Sequence, residues 1–321
     1  MDPLSVFFLL IPIGLAVGIF AAITGLGGGV LMVPIIYLGI FLLTNPAVPD
    51  HLKYATTISS TVIIFTAISG TIAFSIQKRI DYLVGVLCAP FTIAGAYLGK
   101  YTQAIIDETY VLIFFAILLF LTAVRMYYKV INSRRKAKQA ANSAAAKEQS
   151  DELSSTNKAE EHKEEPNRFL KALDKMTLKR VVSDRSDQEW RYAARLYLTP
   201  LAIVGGFVAS MAGVGGGIVM VPILHIIIGL PIHFSTATSV FIMIFTKTTT
   251  VITSYTNSNI VTEGIWWPYV AGLAIGIVAG AQIGARVARK IKADPLKIIF
   301  ATVIVLVSIW TLVNWRLGIT G

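Results

Sequence analysis

The chain has 321 residues, 55% hydrophobic and 14% charged, with 28 lysines and arginines against 18 aspartates and glutamates, a formal net charge of +10. Apolar runs long enough to cross a hydrocarbon layer of about 30 Å, at about 20 residues each, recur along it, which excludes an ordinary soluble globular protein. The basic residues stand in the connections between those runs, so membrane orientation accounts for the charge and nucleic acid is not an expected partner.

The first twenty residues, MDPLSVFFLLIPIGLAVGIF, lack a positively charged start and run straight into further apolar sequence, so they are expected to be a retained first helix and not a secretory signal. That segment runs from Leu4 to Thr24. Four more follow in the first half: Val30 to Leu43, Leu52 to Ile76, Tyr82 to Gly99 and Thr109 to Val130. Cys88, within the fourth, is the only cysteine, so an internal disulfide and a thiolate metal cluster are both excluded; it is expected to be a packing residue.

From Ile131 to about Arg191 the chain is polar, with little hydrophobic pattern, and is expected to be a largely disordered linker. Within it, Arg168 to Val182 can be read as a short amphipathic surface helix or as solvated coil. Five segments make up the second half: Arg195 to Ala212, Ile218 to Leu230, Phe234 to Tyr255, Gly264 to Ala285 and Leu296 to Asn314. The second segment of each half is short, roughly 20 Å as a helix, marginal for a full crossing. The expected units are therefore membrane repeat 1 (1–130), a cytoplasmic linker (131–194) and membrane repeat 2 (195–321).

Two stretches interrupt the apolar pattern in the same way. Gly25 to Pro34 reads GLGGGVLMVP and Gly213 to Pro222 reads GVGGGIVMVP, identical at seven of ten positions. Glycine at Gly25, Gly27, Gly28 and Gly29, and again at Gly213, Gly215, Gly216 and Gly217, disfavours a helix interior by about 1 kcal/mol per residue, so each copy is expected to break its helix into an elbow. Within lipid such a break is tolerated only where protein or a water-filled cavity covers the freed backbone, and matching breaks in two halves point to a transport site. A plain tight turn between spanning helices is the other reading. Further repeat is visible in Thr56 and Ser59 against Thr236 and Ser239, and in Gly95 and Gly99 against Gly280 and Gly284.

Lysine and arginine after the third, fifth and ninth segments lie on one side if segments alternate, and that side is expected to be the cytoplasm. Both termini then face outward. With five segments per half the halves enter from opposite faces, so the expected fold is all-α and polytopic with two inverted-topology repeats, in the cytoplasmic membrane.

The N-terminus of each short helix, near Gly28 and Gly216, presents unpaired amides and a partial positive charge suited to an anion. Thr56, Ser59, Thr236 and Ser239 could add hydroxyl donors, or could serve helix packing. Lys247, deep in the eighth segment among Thr246, Thr248, Thr249 and Thr250, marks a substrate pathway or snorkels to the nearer end. His225 is read chiefly as a packed or interfacial residue, with proton coupling as the alternative. Gln282 lines the pathway or bonds between helices. No paired carboxylates, nucleophile with base, or metal-ligand spacing occurs in the membrane portion, so no enzyme, metal or cofactor is expected.

The paired glycine motifs, each followed by a threonine and serine motif on the next helix, resemble the sulfite exporter TauE/SafE family of membrane transporters, over about 1–130 and 195–316. The resemblance implies movement of a small sulfur-containing anion, sulfite or an organosulfonate, across the cytoplasmic membrane. By motif match it reaches Gly25, Gly27, Gly28, Gly29 and Pro34, then Gly213, Gly215, Gly216, Gly217 and Pro222, and more loosely Thr56, Ser59, Thr236 and Ser239. Lys247 and the linker match nothing in the family pattern. The expectation is a secondary transporter working by alternating access on a small anionic substrate, with a proton or sodium ion as candidate coupling partner. An anion channel, or a transporter of another small anion, is the alternative.

Overall fold

In the computed structural model, residues 3–24, 29–43, 51–107, 109–124, 127, 128, 177–183, 189–257, 267–287, 302, 305, 306 and 309 are described. Gly25, Gly27 and Gly28, most of the linker, and nearly all of the expected tenth segment lie outside them.

Helices dominate. In chain order they are α1 (Pro3–Thr24), α2 (Gly29–Leu43), α3 (His51–Ile76), α4 (Tyr82–Ile105) and α5 (Thr109–Val124). After the strands β1 (Thr177–Ser183) and β2 (Glu189–Arg195) and a 3-10 stretch, Leu196–Leu201, come α6 (Ala202–Met211), α7 (Gly217–Pro222), α8 (Ile232–Asn257) and α9 (Trp267–Val287). Three of the described helices, within α3, α4 and α8, are long and apolar enough to cross a membrane.

The sixth and seventh segments are irregular for local reasons. Pro222 lacks an amide and its ring crowds the preceding turn, and directly after it the helix widens into a π-helix, Ile223–Ile228. Gly229, at φ +94°, then ends it. The whole run Gly217–Ile228 rises at most about 18 Å, roughly half the hydrocarbon layer. Its starting point, the glycine elbow, therefore lies inside the bundle.

α1 packs along α9, and α4 along α6. Both interfaces run through glycine faces, and the contacts recur with the two halves of the chain exchanged. Gly18 lies against the Ile277 carbonyl and Gly206 against that of Thr92; Gly280 lies against the Leu15 carbonyl and Gly95 against that of Ile203. Gly18 and Leu15 stand to Gly206 and Ile203 at one offset, and Thr92 and Gly95 to Ile277 and Gly280 at another, the same offsets that relate the sequence motifs. Small residues let these backbones approach closely.

Where the sequence suggested helix or coil at Arg168 to Val182, Thr177–Ser183 forms a strand. It pairs antiparallel with Glu189–Arg195, Thr177 opposite Arg195 and Ser183 opposite Glu189. Alternation explains its placement: Tyr192 and Ala194 are buried while Ala193 and Arg195 are exposed. Both inward residues join a core with Val84, Cys88, Met220, Leu224 and Phe234. The Tyr192 hydroxyl donates to Asp81 Oδ2. Asp81 also caps α4, accepting from the amides of Leu83 at 3.2 Å and Val84 at 3.3 Å, and its own amide donates to Thr238 Oγ1 at 3.0 Å. The hairpin, the α3–α4 turn and the start of α8 thus close one end of the bundle together.

Candidate functional site

The second elbow follows from Gly213. Its φ of +64° is left-handed, and a Cβ there would stand 2.7 Å from Thr56 Cβ and 2.8 Å from Thr56 Cα. Only glycine fits. Ser59 Oγ donates to the Gly213 carbonyl at 3.0 Å, so Thr56 and Ser59, one face of α3, hold the elbow in place. Gly29, the first residue of α2, meets Gly215: a side chain on Gly29 would strike the Gly215 amide nitrogen, and would stand 2.7 Å from Ile63 Cδ1. One end of the first glycine motif thereby touches the second. Gly216 and Gly217 open α7, Gly216 buried and Gly217 partly so. A Cβ on Gly216 would meet Met220 Cβ at an ordinary 3.8 Å, so bulk alone does not demand glycine there.

Lys247 is fully buried. Its Nζ donates to the Ala209 carbonyl at 2.7 Å, in the last turn of α6 just before the elbow, and reaches Ser60 Oγ at 3.5 Å. The hydroxyls of three neighbouring threonines are engaged elsewhere. Thr246 and Thr249 donate back to their own helix at Ile242 and Phe245, while Thr250 reaches Ser210 Oγ at 2.9 Å.

A second buried lysine, Lys100, lies just past the expected end of the fourth segment at Gly99, because α4 continues to Ile105. Its Nζ donates to Gln103 Oε1 at 2.7 Å, Thr57 Oγ1 at 3.2 Å and Thr56 Oγ1 at 3.3 Å. Thr57 lies 3.3 Å from Ser254 Oγ, and Ser254 donates to the Thr250 carbonyl at 2.8 Å. Polar contacts therefore run from Lys100 through α3 and α8 to Ser210, beside the Ala209 carbonyl that holds Lys247. Among the described residues, the partners of both ammonium groups are neutral oxygens. The buried carboxylate of Asp81 is no counter-charge for Lys100, since nineteen positions of α4 place it roughly 28 Å away.

Of the other expected residues, Thr236 Oγ1 donates to the Ile232 carbonyl at 2.9 Å on the helix surface. Ser239 is buried and donates to the Thr236 carbonyl at 2.9 Å. Ser239, Ala209, Gly216 and Thr246 line a cavity with about 10 Å³ open to the centre of a water molecule, room for roughly one water. A second cavity, also with room for roughly one water, is lined by Leu118, Val214 and Gly215 with Ala209 and Gly216. Neither admits an oxyanion of four heavy atoms without movement. His225 is exposed, its Nδ1 2.7 Å from the Leu230 carbonyl, and Gln282 is exposed. Neither joins the lysines.

Two buried lysines bonded to neutral oxygens thus stand beside a backbone break inside the helical bundle. The model of the family described as Sulfite exporter TauE/SafE matches residues 10–311. The chain is 25% identical over 304 residues to the probable membrane transporter protein YunE of Bacillus subtilis (strain 168), covering 94% of this chain and 96% of that one. To the probable membrane transporter protein MJ0441 of Methanocaldococcus jannaschii it is 24% identical over 315 residues, covering 95% and 94%. No solved structure matches. These relatives are named as transporters, not enzymes, and a transporter handles a small solute from within a lipid bilayer. With the match spanning nearly its whole length, the chain belongs to the sulfite exporter TauE/SafE family of membrane transporters.

Proposed function

We propose that this transporter moves a small sulfur-containing oxyanion, sulfite or an organosulfonate, across the cytoplasmic membrane by alternating access. The observation that carries the reading is Lys247, fully buried and bonded to the carbonyl at the foot of the glycine elbow. Burying an ammonium group among neutral oxygens costs several kcal/mol, which a bound anion would offset. The sulfur chemistry rests on the family description.

Residues 1–130 and 195–321 act as two inverted repeats joined by a cytoplasmic linker, 131–194, with both termini outside. The reciprocal glycine contacts of α1 with α9 and of α4 with α6 support this reading. The linker's hairpin closes the same end of the bundle as the turn carrying Lys78 and Arg79, in keeping with a cytoplasmic position for both. Rocking of the α6–α7 elbow against α3 would widen the small cavities enough for an anion and expose it to each face in turn. A potential negative inside favours outward movement of an anion by about 2.3 kcal/mol per charge per 100 mV, so the potential itself drives export, whereas accumulation against it draws on a coupled proton or sodium ion.

Thermal unfolding of the purified protein with sulfite, thiosulfate, small sulfonates and matched carboxylates tests the assignment, because a ligand that binds only the folded state raises the melting temperature. Selective stabilisation by a sulfur oxyanion, lost in Lys247→Gln, is expected. Equal response to carboxylates, or none to any anion, would set the sulfur assignment aside.

A further inference from the structure

Lys247 serves the proposed anion site, and the second buried lysine, Lys100, has no part in it so far. Lys100 is 3% exposed and Lys247 is 0% exposed. Lys100 Nζ reaches Thr56 and Thr57, and Lys247 Nζ reaches Ser60. Thr56 and Ser60 are four residues apart on α3, one turn or about 6 Å, so both ammonium groups are gathered against one face of one helix. Two like charges held near each other away from bulk water repel. Every described partner of either group is a neutral oxygen.

An anion of one charge at this place would answer one lysine and leave the other uncompensated. An anion of two charges answers both, and its several oxygens can accept from both ammonium groups and from the Ser60 hydroxyl beside Lys247. Resting on the transport reading, we infer that Lys100 and Lys247 together form a charge-selecting site for a doubly charged oxyanion, with Lys100 setting the preference over singly charged anions. A purely structural Lys100 would instead tie α3 to α4 through Thr56, Thr57 and Gln103 and would have no effect on which anion binds.

The test measures stabilisation of the full-length protein by thiosulfate and sulfate, both doubly charged, against methanesulfonate, singly charged, in wild type, Lys100→Gln and Lys100→Arg. The wild type is expected to half-saturate with the doubly charged probes at about tenfold lower concentration than with methanesulfonate, Lys100→Gln to reduce that ratio to about two or less, and Lys100→Arg to keep most of it. Equal affinity for both classes in wild type, or a preference surviving in Lys100→Gln, overturns the two-lysine site while leaving anion transport standing. Binding of none of the probes, nor of sulfite, overturns the transport reading and this inference with it. Should Lys100→Gln fail to fold, Lys100→Met, which removes the charge and keeps the apolar stem, takes its place, with the same loss of the ratio expected and its survival overturning the site.

Discussion

Lys247 Nζ donates to the Ala209 carbonyl at 2.7 Å, joining the middle of α8 to the turn of α6 that enters the glycine elbow. Removing this charge lifts a desolvation cost of several kcal/mol, while the lost hydrogen bond costs about 1 to 3 kcal/mol. Lys247→Met should therefore leave the melting temperature without ligand unchanged or slightly raised, and abolish stabilisation by anions. A large drop without ligand would make Lys247 a structural tie.

Gly213 and Gly216 should respond unequally to the same small change. Alanine at Gly213 must adopt φ +64° and press on Thr56, so Gly213→Ala should destabilise by about 2 to 4 kcal/mol. At Gly216 the backbone is helical, at φ −56°, and the nearest atom leaves room, so Gly216→Ala should stay within about 1 kcal/mol of wild type. Denaturant titration in detergent compares them; equal losses would contradict the elbow geometry.

Gly29→Ala should block transport, because its methyl group collides with the Gly215 backbone as well as Ile63. Trimming only the side chain, in the double variant Gly29→Ala/Ile63→Ala, should not restore flux. Restored flux would show that the approach of the two glycine motifs is dispensable.

Tyr192→Phe removes the hydroxyl that reaches Asp81 and should cost about 1.5 to 3 kcal/mol, the usual range for a hydrogen bond to a charged group. Hydrogen exchange should rise at the amides of residues 189–195 and around Asp81. Unchanged protection there would mean that apolar packing against Phe234 alone holds the hairpin.

The second elbow was legible because its cause is local: clustered glycines and a proline disrupt a helix whatever surrounds them. Lys247 was legible because it lies far from either end of an apolar run. Lys100 was not, since it stands close to the end of its segment, where a lysine ordinarily reaches water. Helical spacing did carry the signal: Thr92, Ala96, Gly99, Lys100 and Gln103 share the buried face of α4, so the stripe of small residues continues into the lysine. The hairpin escaped for a different reason. Its inward residues, Tyr192 and Ala194, are few, and only the core waiting for them gives the alternation meaning. Of the hydroxyls expected around Lys247, those of Thr246 and Thr249 turn back instead, because helical threonines bond readily to their own carbonyls.

Flux of labelled sulfite into and out of proteoliposomes, compared between wild type and Lys247→Gln, tests the central claim most directly. Saturable flux, inhibited by other sulfur oxyanions and lost in the variant, is the predicted result. Flux that rises linearly with concentration, or that persists unchanged in Lys247→Gln, would contradict an alternating-access site built on the buried lysine and the glycine elbow.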